Sequence, residues 1–337
     1  MRALVSARLR RAVRRLQKRW ARRGLILMYH RVGEEGADPW GLRVSPAHFA
    51  EHLDVLVRRT HPMALSRMAA SLGGRLPRRA VAVTFDDGYA DNLLRARPLL
   101  DRHDVPATVF LTTGYLGGAR EFWWDALEQV LLHDRPLPDA LDLTIDGAPF
   151  RWTAGDDAGP SAPGWRAWEP PPTPRHALYR DLWTRLQPAS AAVRWTALDA
   201  LARWAGVALT VRPALRPLHD DEVPALADGR LVEAGAHTVT HPPLDALPAA
   251  TQRDEIQRSK RDLDERLERS VAAFSYPHGR LTADTATLVR EAGFSSACTT
   301  APAAVVRGID PLRLPRLFVE DWDGDRFAEA LEQHLSG

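Results

Sequence analysis

Two adjacent carboxylates follow a strand-like run in the first third of the chain. Residues 81–88 read Val-Ala-Val-Thr-Phe-Asp-Asp-Gly, so an apolar, β-branched segment leads directly into Asp86, Asp87 and a glycine. Because successive side chains of an extended backbone point to opposite sides, the two aspartates cannot face the same way. One could bind a metal ion while the other stays free as a base. A strand that ends in an ordinary Asx turn has the same sequence, so this segment alone does not establish a site.

Two histidines four residues apart, His237 and His241, follow another short apolar run and precede a proline. With twelve histidines in 337 residues, chance alone produces about 0.4 such pairs, so the spacing is weak evidence. His48 and His52 have the same spacing but lie in an amphipathic helical pattern, which indicates a structural role. His237 and His241 instead fall on a loop at the end of a predicted strand, where ligands are more common than core residues.

The elements that must position these residues alternate along the chain. Short apolar runs predict buried strands, and the amphipathic stretches between them predict helices. Strand and helix alternation is typical of parallel strands with helices outside, and about seven units predict a closed or nearly closed barrel. Functional residues would then lie at the carboxyl ends of the strands. The predicted strands are 25–29, 81–85, 108–111, 234–236, 272–276, 295–299 and 316–319, and the main predicted helices are 46–58, 91–102, 251–268 and 283–292.

Residues 119–218 interrupt this alternation. They hold eight of the eleven tryptophans and a proline-rich, loop-like stretch at 155–174. We interpret them as an inserted, mainly helical, Trp-rich subdomain within a barrel that spans residues 24–337. Tryptophans can stack on sugar rings, but tryptophans at helical spacing more often belong to a core, which we favour here.

The composition limits the class of protein. The chain is 45% hydrophobic and 26% charged, and no run of about 18 apolar residues occurs, so the sequence predicts a soluble globular protein without a spanning helix. The single cysteine, Cys298, excludes an intrachain disulfide and a cysteine-rich zinc site. Any metal ion must therefore be held by histidine and carboxylate.

Positive charge is concentrated in the N-terminal segment. Residues 1–23 contain ten Lys or Arg and no acid, whereas the rest has 35 basic and 43 acidic residues, a net charge of −8. An apolar stripe through this segment predicts a basic amphipathic helix that could lie on an anionic membrane or dock on a protein partner. Nucleic acid is disfavoured because the body would repel it. The segment has no signal-peptide features, so we expect a cytoplasmic or inner-membrane-peripheral protein.

A third motif, residues 274–279 (Phe-Ser-Tyr-Pro-His-Gly), again follows a predicted strand. In this order, Thr-Phe-Asp-Asp, His-Thr-x-x-His and Phe-Ser-Tyr-Pro-x-Gly resemble the motifs of the polysaccharide deacetylase family, also called the NodB homology family of metal-dependent carbohydrate esterases. The resemblance covers roughly 25–120 and 218–318. It implies a distorted parallel (β/α) barrel that removes N-acetyl groups from amino-sugar polymers.

The resemblance also implies roles for individual residues. Asp87, His237 and His241 would bind the metal, Asp86 would be the catalytic base, and the backbone N–H of Tyr276 would stabilise the oxyanion. One carboxylate and two imidazoles leave a coordination position open for water, as catalytic zinc sites do. A divalent ion lowers the pKa of that water and polarises the acetamide carbonyl. Zinc is our first expectation, although Co²⁺ or Mn²⁺ would accept the same donors.

The sequence departs from the family pattern at two places. Many members carry an arginine in the third motif that pairs with the catalytic aspartate. Arg316 on the last predicted strand could replace it, although an ordinary surface ion pair explains Arg316 equally well. Many members also have a general-acid histidine on the last strand, which is missing here. His30, at the end of the neighbouring first strand, is our candidate for that acid, with a structural or metal-binding role as alternatives.

These observations predict a hydrolase of carbon–nitrogen, non-peptide bonds. Its expected substrate is an N-acetylated glycan, whether a polysaccharide, an oligosaccharide or a lipid-linked precursor, in an exopolysaccharide or cell-envelope pathway. A barrel amidohydrolase that acts on a small non-sugar amide is one alternative. A non-catalytic carbohydrate-binding relative is another, which the intact Asp-Asp-His-His set disfavours.

Overall fold

A parallel sheet of short, buried strands forms the centre of the fold. The computed structural model describes residues 23–154, 164–228 and 230–336. Every residue of β1 and β5 is buried, which is why these strands appear in the sequence as continuous apolar runs. The strands are β1 Gly24–Tyr29, β2 Arg31–Val32, β3 Arg43–Val44, β4 His61–Pro62, β5 Ala80–Phe85, β6 Ala107–Leu111, β7 Ala140–Ile145, β8 Ala148–Thr153, β9 Val232–Ala236, β10 Ala273–Ser275, β11 Ser296–Cys298 and β12 Leu317–Phe318.

Seven strands follow one curved path in the order β11-β10-β9-β6-β5-β1-β12, and β4 pairs beside β5. All of these pairings are parallel. The two ends of the path approach each other, since Leu314, just before β12, forms a parallel bridge with Cys298 in β11. The predicted distorted parallel barrel of about seven strands is thereby confirmed. The carboxyl ends of the strands meet at one edge of the barrel.

Helices follow the strands, as the alternating pattern predicts. The first of them begins where expected, because the Ser45 side chain accepts a hydrogen bond from the N–H of His48 and Pro46 occupies the first turn. His52 is fully buried and its Nε2 lies 2.7 Å from the carbonyl of Trp322, which confirms its structural role. The helices are α1 Pro46–Arg59, α2 Leu65–Ala70, α3 Arg97–His103, α4 Trp123–Leu131, α5 Pro174–Leu186, α6 Ala191–Ala205, α7 Glu222–Leu226, α8 Ala249–Leu267, α9 Ala283–Glu291 and α10 Gly324–Ser336.

The Trp-rich region contains α4, the β7–β8 hairpin, α5 and α6. These elements share an apolar cluster of their own, separate from the one beneath the sheet. Trp123, Trp124 and Trp165 are buried in it, whereas Trp168 is 55% exposed. Most of these tryptophans therefore build a core, and the bounds 119–218 of a subdomain stay a prediction.

The basic segment 1–23 lies outside the described residues except for Arg23. Within the part of the chain that the structure describes, no helix is both long and apolar enough to cross a membrane.

Candidate active site

Polar side chains from three strand ends meet above the barrel. His30 follows β1, Asp86 and Asp87 follow β5, and His237 follows β9. They line a cleft of about 450 Å³ together with His241. The remaining lining residues are Met28, Trp40, Leu42, Trp124, Trp183, Gln187, His278, Arg280, Thr300 and Phe318.

Asp87, His237 and His241 form a compact group whose ligand atoms all lie within 4.8 Å of one another. Asp87 Oδ1 lies 3.4 Å from His241 Nε2 and 3.7 Å from His237 Nε2, and the two Nε2 atoms are 3.2 Å apart. This Oδ1 is buried and has no hydrogen-bond partner among the described residues. A buried carboxylate oxygen without a partner, facing two imidazoles, is a donor set that suits a divalent cation.

Burial and the backbone prepare the two imidazoles of this group to donate electron pairs. His237 Nδ1 lies 2.7 Å from the Ser275 carbonyl, which can only accept, so the ring proton sits on Nδ1 and Nε2 keeps its lone pair. Burial lowers the pKa of both His237 and His241, and burial together with the charge of Asp86 raises the pKa of Asp87. The imidazoles are therefore neutral and free to bind a cation.

Backbone conformation also constrains the group. Asp87 has φ of 77° and His241 has φ of 57°, in the left-handed region that non-glycine residues seldom adopt. Gly88 follows with φ of 90°, and a Cβ there would lie 2.7 Å from Leu111 Cδ2. Glycine is therefore required at this turn, which directs the Asp87 side chain.

Asp86 is held by a buried arginine. Arg316 donates from Nη1 to Oδ1 at 2.7 Å and from Nη2 to Oδ2 at 2.6 Å. The same guanidinium donates to Ser275 Oγ, at 2.8 Å, and to the Thr299 carbonyl, at 2.9 Å. Arg316 is completely buried, so the alternative of a surface ion pair is wrong. Although burial opposes it, the charge of Arg316 keeps the pKa of Asp86 well below its usual range.

His30 lies in the same cleft, with its ring 5.8 Å from that of Phe318. Its Nδ1 is buried without a hydrogen-bond partner in the described ranges, which leaves that atom without the bond to the following loop that a structural role would need. His30 is also not one of the three residues whose ligand atoms converge. Burial lowers the pKa of His30 to about 4, so the ring is neutral at pH 7.

Tyr276 is hydrogen-bonded to the backbone around it through both its N–H and its hydroxyl. Its backbone N–H donates to the Cys298 carbonyl at 3.1 Å, and its hydroxyl donates to the Leu312 carbonyl at 3.0 Å. The residue is fully buried and does not line the cleft. The neighbouring strand already binds this N–H in the structure, so its role at an oxyanion stays a prediction that the geometry does not support.

Sequence reasoning missed several residues of the cleft. His278, inside the third motif, has φ of 58°, and its ring lies 4.6 Å from that of His241. Trp124 lies 4.8 Å from the His241 ring, and Trp183 packs 4.2 Å from Trp40. A histidine directly after the proline of a motif at a strand end was the available signal for His278. The tryptophans gave no comparable signal, since core tryptophans have the same spacing.

Comparisons with known proteins agree with this arrangement. The family model described as polysaccharide deacetylase matches residues 73–133 and 208–297. The Bacillus subtilis (strain 168) protein YxkH, assigned by its name to the polysaccharide deacetylases, is 26% identical over 111 residues, which is 32% of this chain. That match spans only 38% of the length of YxkH.

Solved structures share the fold. The Streptococcus pyogenes deacetylase PplD in complex with acetate has 18% identity and a TM-score of 0.58, with 94% of this chain and 99% of that chain covered. IcaB from Ammonifex degensii has 18% identity and a TM-score of 0.59, with coverages of 92% and 97%. The BpsB deacetylase domain from Bordetella bronchiseptica has 16% identity and a TM-score of 0.53, with coverages of 88% and 96%. The family match over residues 73–133 and 208–297, together with the three motifs at neighbouring strand ends, shows that the chain contains a polysaccharide deacetylase domain.

Proposed function

We propose that the chain is a metal-dependent hydrolase that removes N-acetyl groups from the amino sugars of a polysaccharide, an oligosaccharide or a lipid-linked glycan precursor. The observation that best supports this proposal is that two neighbouring aspartates lie in opposite environments. Asp87 has a buried oxygen without a hydrogen-bond partner among the described residues and faces two imidazoles, whereas Asp86 is neutralised by Arg316. One carboxylate is thus available to a cation and the other to a proton.

Asp87, His237 and His241 are the residues that would hold the ion. Zinc is our first choice, and Co²⁺ or Mn²⁺ suits the same donors. When bound, such an ion acidifies a water molecule and polarises the acetamide carbonyl.

Asp86 is the proposed proton acceptor. Arg316 occupies one lone pair on each of its oxygens, Ser275 Oγ donates to Oδ2 at 3.4 Å, and the second lone pair of Oδ1 stays available. Because Arg316 keeps the pKa of Asp86 low, the carboxylate is ionised at any physiological pH. Arg316 is a positioning residue in this scheme, since it fixes the rotamer and the charge of Asp86.

His30 is the proposed donor of the proton that the departing amine requires. Its ring is neutral at pH 7 because burial lowers its pKa to about 4. It can therefore pass on a proton only after it has received one during turnover. Its unpartnered Nδ1 in the cleft is the observation that supports this role.

The walls of the cleft support a glycan substrate. Trp40 and Trp183, both half-buried, present aromatic surfaces beside the proposed metal ligands, and the buried Trp124 also lines the cleft. Sugar rings stack on such surfaces through their apolar faces, while their hydroxyls remain at the polar rim. An exopolysaccharide or cell-envelope glycan is the source of substrate that we propose.

Metal analysis of the purified protein and acetate release from a panel of N-acetylated glycans test the proposal together. We expect one equivalent of divalent metal and release of acetate from at least one glycan. Asp87→Ala should abolish both metal and turnover while the fold is kept, because the site lies on loops above a packed barrel. Asp86→Asn should keep the metal and lose turnover by roughly 10²–10⁴-fold, the usual scale for one acid–base group.

Two results would contradict these assignments. Full metal content and full turnover in Asp87→Ala, His237→Ala or His241→Ala would show that the ligands lie elsewhere. Near-normal turnover in Asp86→Asn would remove Asp86 from the chemistry.

A further inference from the structure

The loop that carries His241 has an unusual backbone. It bends between His237 and His241, and both Thr238, at φ of 65°, and His241, at φ of 57°, lie in the left-handed region. A residue in this region is strained and persists only where the surroundings hold it in place. Because the position of His241 Nε2 depends on these angles, the groups that hold this loop decide whether the three ligand atoms converge.

A carboxylate from α8 holds the loop on one side. Glu255 Oε2 accepts the N–H of Val239 at 2.8 Å and the N–H of Thr240 at 2.9 Å. Its Oε1 accepts the hydroxyl of Thr240 at 2.6 Å. Glu255 is 9% exposed, and hydrogen bonds to a buried carboxylate are roughly twice as strong as bonds between neutral groups.

The guanidinium of Arg194, on α6, holds Thr240 through its carbonyl. Arg194 donates from Nη1 to the carbonyl of Thr240 at 2.9 Å. Its Nε donates to the carbonyl of Leu186, at 2.9 Å, and its Nη2 to the carbonyl of Gln187, at 2.5 Å. Arg194 is 1% exposed and lies over the Trp123 ring at 5.1 Å.

Thr240 is thus bracketed by opposite charges. Its N–H and hydroxyl bind an anion, and its carbonyl binds a cation. The N–H and the carbonyl of Thr240 belong to the two peptide groups on either side of it. The two contacts together therefore fix the orientation of both peptide groups. Arg194 also ties this loop to Gln187, which lines the cleft, so the Trp-rich region and the proposed ligand loop are fixed to each other.

We propose that Glu255 and Arg194 are positioning residues that clamp Thr240 and thereby place His241 in the ligand set. This inference rests on the proposed function, since it concerns the same metal site. Neither residue belongs to the proposed ligand set or lines the cleft, and both act through their bonds to Thr240. Removing the clamp should therefore lower metal affinity, in addition to any effect on the stability of the fold.

Zinc affinity, measured by competition with a chromogenic chelator, is the test. Glu255→Ala should weaken zinc binding by roughly 10–100-fold, the scale observed for residues that orient metal ligands. The visible spectrum of the Co²⁺-loaded protein should change as well, because it reports the ligand geometry. Glu255→Gln should largely rescue both, since its carbonyl can accept the two N–H bonds and its amide can donate to the Thr240 hydroxyl.

Asp264 offers a matched control on the same helix. Its Oδ1 accepts the N–H of Val271 at 2.7 Å and so anchors a loop that carries no proposed ligand. Asp264→Ala should lower the unfolding midpoint but leave zinc affinity and the Co²⁺ spectrum as in the wild type. Should Glu255→Ala fail to fold, Thr240→Val removes the 2.6 Å bond to Glu255 with little change of shape. It should weaken zinc binding in the same direction.

Wild-type zinc affinity and an unchanged Co²⁺ spectrum in Glu255→Ala or Thr240→Val would overturn the clamp and leave the proposed function standing. Equal losses of zinc affinity in Glu255→Ala and Asp264→Ala would also overturn it, because the effect would then be one of general stability. A wild-type protein that binds neither Zn²⁺, Co²⁺ nor Mn²⁺ would overturn the proposed function itself.

Discussion

Replacing Arg316 by methionine removes the charge that balances Asp86 while keeping most of the side-chain volume. In the wild type, the two side chains form two short hydrogen bonds of 2.7 and 2.6 Å, and their exposed fractions are 0% and 4%. Methionine leaves Asp86 buried, with Ser275 Oγ at 3.4 Å as its remaining side-chain hydrogen-bond donor among the described residues and the neutral His237 ring 3.9 Å away. The perturbation therefore creates a buried carboxylate without a counter-charge.

The burial of the Arg316–Asp86 pair sets the expected loss of unfolding free energy. Removing one partner of a buried ion pair costs about 3–5 kcal/mol of unfolding free energy, because the other charge is left uncompensated. Arg95 provides the exposed comparison, since it binds Glu35 with two bonds of 2.8 and 2.6 Å while the two side chains are 35% and 46% exposed. Arg95→Met should cost no more than about 1 kcal/mol.

The pH dependence follows from the direction of the pKa shift. With Arg316 present, the pKa of Asp86 lies below its unfolded value, so the ionised carboxylate stabilises the fold above about pH 4 and less at lower pH. Without Arg316, burial raises the pKa of Asp86 above the unfolded value, and ionisation then destabilises the fold. The difference between Arg316→Met and wild type should be largest near neutral pH and should shrink on acidification.

Urea unfolding of both proteins at about pH 7.5 and pH 5, with chelator present so that metal binding does not contribute, measures this difference. A loss below about 1 kcal/mol at neutral pH would refute the argument, since that is the scale of an exposed pair. An equal loss at the two pH values would also refute it, because the cost would then not come from an ionised Asp86. The double variant Arg316→Met, Asp86→Asn should lose less than Arg316→Met alone, because it leaves no buried charge at this position.

His30→Ala should retain metal but lose turnover by roughly 10²–10⁴-fold. Because the pKa of His30 is about 4, we expect the loss to be uniform over the neutral range of a pH–rate profile; loss of the metal would instead make His30 a ligand, and wild-type rates would exclude it as the acid. Deletion of residues 1–23 should leave turnover on a soluble glycan unchanged and weaken co-sedimentation with anionic vesicles, since each basic residue near such a surface contributes about 1 kcal/mol at low salt. Equal vesicle binding by both forms would end the membrane hypothesis.

The strands of the barrel could be predicted because strands buried on both faces consist of consecutive apolar residues. β1, β5 and β6 are continuous apolar segments, and the predicted bounds differ from the observed ones by one residue. The β7–β8 hairpin has no such apolar run, because its residues are mostly exposed. Its turn also lies within a region interpreted as helical and loop-like. β4 has only two residues, too few for any periodicity.

The candidate site could be predicted where chemistry coincides with a strand end. Asp86, Asp87, His237 and His241 meet in the cleft as the resemblance implied, and their roles stay predictions. The partner of Asp86 could only be suggested, because Arg316 lies 230 positions away and one strand register decides whether it points inward. Strand register also decides which group the N–H of Tyr276 binds. Its N–H faces the adjacent strand, and hydrogen bonding between neighbouring strands is not visible in a single sequence.

The tryptophans show why core and site could not be separated by spacing. Trp123 and Trp124 are neighbours on α4, and both are buried. Trp123 is fully enclosed beneath Arg194, whereas Trp124 lines the cleft 4.8 Å from the His241 ring. Residues adjacent on a helix point about 100° apart, so one helix can pack into a core and still present its next side chain to a site. The two interpretations of a tryptophan-rich segment, core and sugar-binding wall, therefore do not exclude each other. Which one applies to a given ring depends on where the helix meets the strand ends.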